Sequence, residues 1–262
     1  MITVKLMGGI GNQMFEYAFG RYLAQTNGSE LCLDLSFLEG TQKGVTRRKY
    51  ELDAFNIKAG LVFANSKGTH VKESSVRFDP KLLDLKGDIY LDGYWQSEKY
   101  FKPVEKLIRQ EFSFKEPLNT VPPNGSVGVH VRRGDYVSDK RTKEFHGCCG
   151  ADYYAKASAY VLEKCPDPVF YVFSDDIGWV SGNMTFPGKT VYVKGDPQAP
   201  AADMHMMSRC SHQIIANSSF SWWAAWLNNK PDKLVVAPKK WFVDEKQNIL
   251  AADLIPESWT RL

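Results

Sequence analysis

Short apolar runs alternate with amphipathic stretches along most of the chain. Runs of four to six apolar residues separated by helical patterns are typical of parallel sheets that are covered on both faces. The pattern therefore predicts an α/β fold. In the first half it predicts helices over 12–25 and 97–112 and strands at ITVKLM, ELCLDL and DIYLDGYW, while residues 40–85 show no clear pattern. In the second half it predicts helices over 151–163, 201–209 and 219–228 and strands at SVGVHV, PVFYVFSDD, KTVYVK, HQIIAN and, last, KLVVAP.

One segment interrupts this alternation. Residues 115–126, KEPLNTVPPNGS, contain adjacent prolines followed by Asn-Gly, which is typical of a linker. We therefore predict two Rossmann-type domains, 1–120 and 121–262, that face a cleft. In such sheets ligands bind beyond the carboxyl ends of the strands, so the motifs at those ends are the candidates for function.

Composition narrows the class of protein. The chain has 262 residues with 44% hydrophobic and 24% charged residues, an ordinary globular composition. A formal net charge of +3 is too small to indicate a nucleic-acid partner. The N-terminus lacks the features of a signal peptide, and the expected location is the cytoplasm. Five cysteines without a CxxC pair or zinc spacing favour reduced thiols.

The first candidate motif is the glycine-rich turn MGGIGNQ after the first strand. Glycine lets a ligand approach the backbone closely, and a helix N-terminus favours an anion. The turn has Gly9 and Gly11 in the spacing of a dinucleotide fingerprint, but Met14 stands where the third glycine would be. The alternative is a tight turn with Asn12 as the helix cap.

The second motif is HVRRGDY, residues 130–136, which follows a buried strand. Strand alternation places His130 and Arg132 on one face and Arg133 on the other. Two arginines at a strand end suit phosphate, because the guanidinium fork donates two hydrogen bonds at once. The alternative is a surface ion pair between Arg133 and Asp135.

Two further motifs end later strands. In FSDD, Asp175 is either a helix cap or a ligand contact, and the chain contains no Asp-x-Asp triplet of the kind that holds a divalent ion. In ANSSFSWWAAWL, Ser218 and Ser219 begin a helix and could cap it or donate to a phosphate, whereas the tryptophans are spaced as core residues. Together the motifs predict binding of a nucleoside diphosphate and transfer of a group from it without a metal.

These motifs, with GYWQSEKYF, closely resemble the α-1,2-fucosyltransferases of glycosyltransferase family 11, particularly the short bacterial members, from residue 1 to about 245. The resemblance implies a GT-B-like fold. It also implies inverting transfer of L-fucose from GDP-β-L-fucose to the 2-hydroxyl of a terminal β-galactoside, with no metal and no other cofactor.

The same resemblance assigns roles to single residues. Arg132 would hold the diphosphate and stabilise the leaving GDP, and Asp135 would orient the arginines or touch the donor. His130 would lie near the guanine or the phosphates. Asp203, sixteen residues before Ser219, would read the guanine edge. The expected donor site comprises Gly9, Gly11, Asn12, His130, Arg132, Asp175, Asp203, Ser218 and Ser219, and the catalytic residues are Arg132 and Asp135.

Other roles stay open at this level. A general base is expected to be one of Asp135, Asp92, Glu16 and His146. The aromatic residues Tyr94, Trp95 and Tyr136 could stack on the acceptor sugar or pack in the core. The first domain would then be the acceptor side, and a lipid-linked acceptor would bring the protein to the inner face of a membrane. The alternatives are a catalytically silent GDP-sugar- or carbohydrate-binding protein and an oxidoreductase, against which the missing third glycine argues.

Overall fold

The computed structural model describes residues 1–40, 48–63, 67–118 and 120–262. The chain forms two compact units, Met1–Lys115 with Leu250–Pro256, and Glu116–Ile249 with Glu257–Leu262. The division thus falls five residues before the expected boundary, and a late segment returns to the first unit. That segment is anchored there because Ser97 Oγ donates to the Asp253 carbonyl over 2.9 Å, and Lys99 forms an ion pair with the Asp253 carboxylate.

The first unit contains a five-stranded parallel sheet in the order β3-β2-β1-β5-β4. Its strands are β1 Ile2–Lys5, β2 Leu31–Asp34, β3 Gly60–Val62, β4 Thr69–Lys72 and β5 Ile89–Asp92. Its α-helices are α1 Ile10–Asn27, α2 Ser36–Glu39 and α3 Glu105–Glu111, and 3₁₀ turns cover Leu52–Ala54, Pro80–Asp84, Glu98–Tyr100 and Lys102–Val104.

In this unit the structure adds two strands that were not predicted and contradicts two predictions. β3 and β4 lie within residues 40–85, and the pattern did not reveal them because they are short, largely exposed edge strands. The helix expected over 97–112 is α-helical only in α3, since Pro103 has no N–H to donate and 3₁₀ turns precede it. Helix α1 begins at Ile10 with Gly9 in the cap position, so Asn12 is not the cap.

The second unit contains a six-stranded parallel sheet in the order β11-β10-β9-β6-β7-β8. Its strands are β6 Ser126–Val131, β7 Val169–Ser174, β8 Lys189–Tyr192, β9 His212–Ile214, β10 Val235–Ala237 and β11 Thr260–Arg261. Its helices are α4 Gly134–Ser138, α5 Lys140–His146, α6 Ala151–Leu162, α7 Ile177–Asn183, α8 Pro200–Arg209 and α9 Ser219–Leu227, and α10 Glu245–Leu250 ends at the unit boundary.

The second sheet confirms the predicted parallel α/β pattern, with one addition. β11 extends the sheet beyond the strand expected to be last, and its two residues are too few to give a periodic signal. Every residue of β6 is buried, including the polar Ser126 and His130, which confirms the predicted buried strand. Trp222, Trp223 and Trp226 of α9 are at most 3% exposed, which confirms them as core residues. In the described parts of the chain, no helix is both long and apolar enough to cross a membrane.

Gly20 lets α1 lie close to the sheet of the first unit. A Cβ at this position would lie 2.3 Å from Val4 Cγ2 and 3.0 Å from Leu31 Cδ1. Val4 is a buried, β-branched strand residue, so it has little freedom to yield. The packing of α1 against the sheet therefore depends on glycine at position 20, where there is no side chain.

We predict that Gly20→Ala lowers the free energy of unfolding by about 1–3 kcal/mol, as overpacking does. The matched control is Gly182→Ala in α7, where an added Cβ meets nothing within 4 Å. It should raise stability by about 0.5–1 kcal/mol, because alanine loses less backbone entropy in a helix. Thermal and denaturant unfolding of both variants measures the difference, and a stabilised Gly20→Ala protein would contradict the packing argument.

Candidate functional site

The adjacent carboxyl ends of β6 and β7 hold a cluster of opposite charges. The strands pair in parallel with Val131 opposite Ser174, so the residues that follow each strand meet. Arg132 Nη2 lies 2.6 Å from Asp135 Oδ1, and Arg132 Nη1 lies 2.8 Å from Asp175 Oδ2. The guanidinium is therefore held from two sides, and the structure brings these three predicted site residues together.

The charge of Arg132 is secured by this arrangement. Burial alone would lower the pKa of Arg132, but Asp175 and Asp135 outweigh it and raise that pKa. The side chain is 19% exposed, so the fixed cation can still be reached by a ligand. The two ion pairs involve one terminal nitrogen each, and a guanidinium carries five N–H donors.

Arg133 has a different environment. Its Nε donates to Asp176 Oδ2 over 3.2 Å, and its guanidinium carbon lies 3.3 Å from the centroid of the Trp179 ring. The alternative interpretation of this motif, a surface ion pair of Arg133 with Asp135, is therefore wrong. Asp176 Oδ1, in turn, accepts from the Trp179 N–H at the start of α7, so Asp176 is the helix cap and Asp175 is not.

Gly134 makes the second ion pair sterically possible. A Cβ on Gly134 would lie 2.4 Å from Asp175 Oδ2, the oxygen that binds Arg132. Asp175 Oδ1 also accepts from the Arg133 N–H over 2.8 Å, which fixes the carboxylate against the turn. The glycine of HVRRGDY is thus needed for close approach of a side chain from the neighbouring strand.

His130 lies beneath this cluster rather than on its surface. Its side chain is 4% exposed, and Nδ1 lies 2.9 Å from Ser221 Oγ in α9. Burial and the charge of Arg132 lower the pKa of His130 to about 3, so the imidazole is neutral at physiological pH. The resemblance implies that His130 lies near the nucleotide. Direct contact would require the side chains that bury the imidazole to move.

The turn into α9 is organised by a residue that sequence reasoning missed. Asn217, 3% exposed, donates from Nδ2 to the carbonyls of His146 and Gly147 over 2.9 and 3.2 Å. Ser218 occupies the cap position without a side-chain bond to the helix, and Ser219 is half-buried. The asparagine directly before the two serines was the only signal for this role in the sequence.

Tyr136 and His146 continue the environment of Arg132. The Arg132 guanidinium carbon lies 5.2 Å from the Tyr136 ring, which stacks on His146 at 4.8 Å and 12°. Tyr136 is 9% exposed and donates to the Asn217 carbonyl, so it is a poor surface for a sugar. Burial, above all, lowers the pKa of His146 to about 4.

Asp203 stands apart from this cluster. It lies in the first turn of α8 and makes no hydrogen bond or ion pair with Arg132, Asp135 or Asp175 among the described residues. A Cβ on Gly195 would lie 1.9 Å from Asp203 Oδ2, so the carboxylate packs against that turn. Burial and the nearby Asp196 raise the pKa of Asp203 to about 6.

The glycine turn of the first unit carries amide and carboxyl groups. Gly8 has φ +69°, and Gly9 precedes α1, within which Gly11 is buried. Asn12 Oδ1 accepts from Gln96 Nε2 over 2.9 Å. Glu16 is fully buried with its Oε2 accepting from the Met7 N–H, and burial raises its pKa well above the usual range.

The aromatic candidates of this unit differ in exposure. Tyr94 is 38% exposed, whereas Trp95 is 1% exposed and packs against Phe19 and Tyr100. Trp95 is thus a core residue. Asp92 accepts from Lys5 Nζ through both oxygens, at 3.2 and 3.1 Å.

The described residues contain no group of three or more His, Cys, Asp and Glu side chains placed to hold a metal ion.

Comparison with known proteins identifies relatives over the full chain. The profile of glycosyl transferase family 11 matches residues 1–262. The "Alpha-1,2-colitosyltransferase" of Escherichia coli is 34% identical, covering 100% of this chain and 99% of the relative. The "O-antigen biosynthesis glycosyltransferase WbnK" of Escherichia coli is 32% identical, covering 98% and 99%. "Galactoside 2-alpha-L-fucosyltransferase Sec1" of Mus musculus is 27% identical, covering 97% and 75%.

Solved structures show the same fold class. The NodZ α-1,6-fucosyltransferase soaked with GDP-fucose has a TM-score of 0.50 at 17% identity, covering 86% of this chain and 91% of that chain. The FUT1 mutant R284K of Arabidopsis thaliana in complex with GDP also has a TM-score of 0.50, at 11% identity, covering 94% and 72%. These likenesses support the expected GT-B-like α/β class and, at such identities, concern the fold alone.

Because His130 and His146 are neutral in the folded protein, we predict that the protein loses stability in acid. The pKa values of His130 and His146 fall from 6.5 in a free side chain to about 3 and about 4. Below pH 6.5 the unfolded chain therefore binds protons that the folded protein does not. The free energy of unfolding should fall by about 1.4 kcal/mol per pH unit for each histidine as the pH drops from 6.5 towards 4.

We expect the NMR signals of both imidazoles to stay constant between pH 5 and 8. His146→Phe, which keeps the stacking on Tyr136 but cannot titrate, should show a shallower pH dependence of stability. A titration midpoint near 6.5 for either ring in the folded protein would contradict its placement.

Proposed function

Because the chain belongs to glycosyltransferase family 11, we propose that it transfers L-fucose from GDP-β-L-fucose to the 2-hydroxyl of a terminal β-galactoside, with inversion at the anomeric carbon. Membership makes it a glycosyltransferase, and the choice of donor, linkage and acceptor is our proposal. The observation that carries it is the fixed Arg132 at the ends of β6 and β7, in a motif that the resemblance assigns to the donor diphosphate.

The charge balance of the cluster favours directed hydrogen bonds over general attraction. Arg132 and Arg133 stand beside three aspartates, Asp135, Asp175 and Asp176. An excess of positive charge therefore does not attract the diphosphate here. The N–H groups of a guanidinium held in place can instead donate to the phosphate oxygen on which charge develops.

In the proposed reaction the acceptor 2-hydroxyl oxygen bonds to C1 of fucose as the bond from C1 to the phosphate oxygen breaks. The electron pair of that bond leaves with GDP, and Arg132 stabilises the resulting charge. The hydroxyl proton passes to a base or to solvent. Asp135, Asp92, Glu16 and His146 remain the hypotheses for that base; Asp135 and Asp92 are already held by Arg132 and Lys5.

The two units have different proposed roles. The second unit would bind the donor, through the Arg132 cluster, the start of α9 at Ser218 and Ser219, and Asp203. The first unit would bind the acceptor. We further propose that the reaction needs no metal and takes place in the cytoplasm, with a lipid-linked acceptor at the inner face of the membrane.

A second donor is suggested by the comparison. The relative named as an α-1,2-colitosyltransferase is 34% identical over the whole chain. Fucose and colitose share the galactose configuration and differ by the 3-hydroxyl, which colitose lacks. Competition between GDP-fucose and GDP-colitose at equal concentrations in one reaction mixture decides the donor, since the initial ratio of products then equals the ratio of kcat/KM values.

The central test is transfer to a β-galactoside in EDTA by wild-type protein and by variants of Arg132. Arg132→Ala should reduce kcat at least ~10²-fold, the effect of losing one donor to a developing charge. Arg132→Lys should also be poor, because the ammonium cannot reproduce the fork. Arg109→Ala, which breaks an ion pair with Glu105 on α3, is the control and should stay near wild type.

Near-normal turnover of Arg132→Ala would refute the assignment of this residue. GDP binding without transfer to any galactoside by the wild type would instead favour the silent binding protein, and dependence on an added divalent ion would refute the metal-free reaction.

Asp203 provides a test of base recognition. An ionised carboxylate can accept from N1–H and N2–H of guanine, and Asp203→Asn would set an N–H donor against one of them. We expect about a 10- to 100-fold loss of GDP affinity in Asp203→Asn, as for hydrogen bonds to a charged group, with little change for ADP.

The raised pKa of Asp203, about 6, gives this recognition a pH dependence. GDP affinity should decline as the pH falls below about 6, since the protonated carboxyl accepts less well. Asp196→Asn is the control: it removes a charge that raises the pKa of Asp203, so it should move the decline to lower pH. Calorimetric titration with GDP and ADP measures both effects, and unchanged GDP affinity in Asp203→Asn would contradict the role.

A further inference from the structure

The turn Gly93–Gln96 after β5 has an unusual backbone. Trp95 has φ +53°, and among the described residues only Asp167 is another non-glycine with positive φ. A bulky residue in this region is uncommon, and such a conformation persists only where the surroundings enforce it. Residues with such strained backbones concentrate at functional sites. The contacts that fix this turn, and the side chain that it exposes, therefore bear on function.

Glu73 holds the turn with both carboxylate oxygens. Oε2 accepts from the Tyr94 N–H over 2.8 Å, and Oε1 accepts from the Trp95 N–H over 3.0 Å. A Cβ on Gly93 would lie 2.3 Å from Glu73 Cβ, so the turn and the glutamate approach closely. Glu73 itself is fixed just after β4, where its N–H donates to the Asp92 carbonyl.

The turn presents Tyr94 outward while burying its neighbour. The Trp95 ring is in the core, and Tyr94 is 38% exposed at the end of β5. Burial and the nearby carboxyls of Glu16, Glu73 and Asp92 raise the pKa of Tyr94 to about 12, which places this ring among acidic groups. Gln96, at the end of the turn, donates to Asn12.

An exposed aromatic ring beside carboxylate and amide groups suits a neutral pyranose. The apolar C–H face of a sugar packs on an aromatic face, and its hydroxyls donate to carboxylates. Asp92 accepts from Lys5 and retains acceptor capacity, because two carboxylate oxygens offer about four lone-pair sites.

We propose that Glu73 is a positioning residue of an acceptor subsite: it holds the strained turn so that the Tyr94 ring packs against the acceptor galactose, with Asp92 accepting from its hydroxyls. This inference rests on the proposed function and adds to it the residues that hold the acceptor. If Glu73 only stabilised the fold, its substitution would lower the melting temperature without a selective effect on the KM for the acceptor.

The experiment compares Tyr94→Ala, Tyr94→Phe and Glu73→Gln in the full-length protein. Glutamine keeps the size of the Glu73 side chain but replaces one acceptor oxygen with an amide NH2 group, which would face the backbone N–H of Tyr94 or Trp95. Tyr94→Phe keeps the ring. The matched control is Tyr192→Ala, which removes a tyrosine of similar exposure, 36%, from edge strand β8 of the second unit.

Four quantities are measured: KM for the galactoside, KM for GDP-fucose, acceptor-independent hydrolysis of GDP-fucose, and the melting temperature. Tyr94→Ala and Glu73→Gln should raise the galactoside KM by about three- to tenfold, the range of one aromatic contact. The donor KM and the hydrolysis rate should not change. Tyr94→Phe, which keeps the ring, should raise the galactoside KM less than Tyr94→Ala, and the control Tyr192→Ala should resemble the wild type.

An unchanged galactoside KM in Tyr94→Ala, or an equal rise in both KM values, would overturn the proposal. If Glu73→Gln does not fold, the pair Tyr94→Ala and Tyr94→Phe decides, because Tyr94 is exposed.

Saturation-transfer NMR with methyl β-galactoside gives a readout without turnover. Galactoside binding that Tyr94→Ala abolishes, in a protein that transfers nothing, would refute the proposed function and retain the subsite. Absence of any binding to the wild type would overturn the subsite.

Discussion

The fixed guanidinium of Arg132 is the interaction on which the candidate donor site depends. It requires parallel pairing of β6 and β7 in one register, since only then do Arg132 and Asp175 follow neighbouring strands at the same height. It also requires Gly134, where any Cβ would displace the Asp175 carboxylate. Fold and site are thus coupled: a change of register by one residue would turn the arginine to the other face of the sheet.

The carboxyl ends of the two sheets have contrasting chemistry. In the second unit, two arginines follow β6 and form ion pairs with Asp135, Asp175 and Asp176. The neutral side chains of His130, Tyr136 and His146 lie near Arg132. In the first unit, carboxyls, amides and an exposed tyrosine follow the strands. Each edge therefore suits a different part of a glycosyl-transfer reaction, phosphate for one and sugar hydroxyls for the other. This contrast comes from side chains, since both sheets are parallel and of similar construction.

Sequence reasoning succeeded where hydrophobic burial determines structure and failed where single contacts do. The buried strand β6, with a valine at every second position, and the tryptophans of α9, at helical spacing, were predictable because their apolar residues recur at the period of a strand or a helix. β3, β4 and β11 were missed, because short strands at or near a sheet edge are stabilised by pairing and carry little pattern. The ion pair of Arg132 with Asp175 and the role of Glu73 depend on contacts between segments far apart in the chain, which periodicity does not encode. The cap at Asp176 is a choice between two neighbouring aspartates, and the pattern does not distinguish them.

The excess of carboxylates around Arg132 bears on how such a site could accelerate transfer. A site rich in positive charge would bind the donor diphosphate tightly before reaction, and binding shared by ground state and transition state does not raise kcat. Asp135 and Asp175 reduce that ground-state attraction while fixing the direction of the guanidinium. The stabilisation then grows as the bond to the sugar breaks and negative charge accumulates on the phosphate oxygen facing the N–H donors. In this view, Asp135 and Asp175 contribute to catalysis by the proposed transferase and do not oppose it.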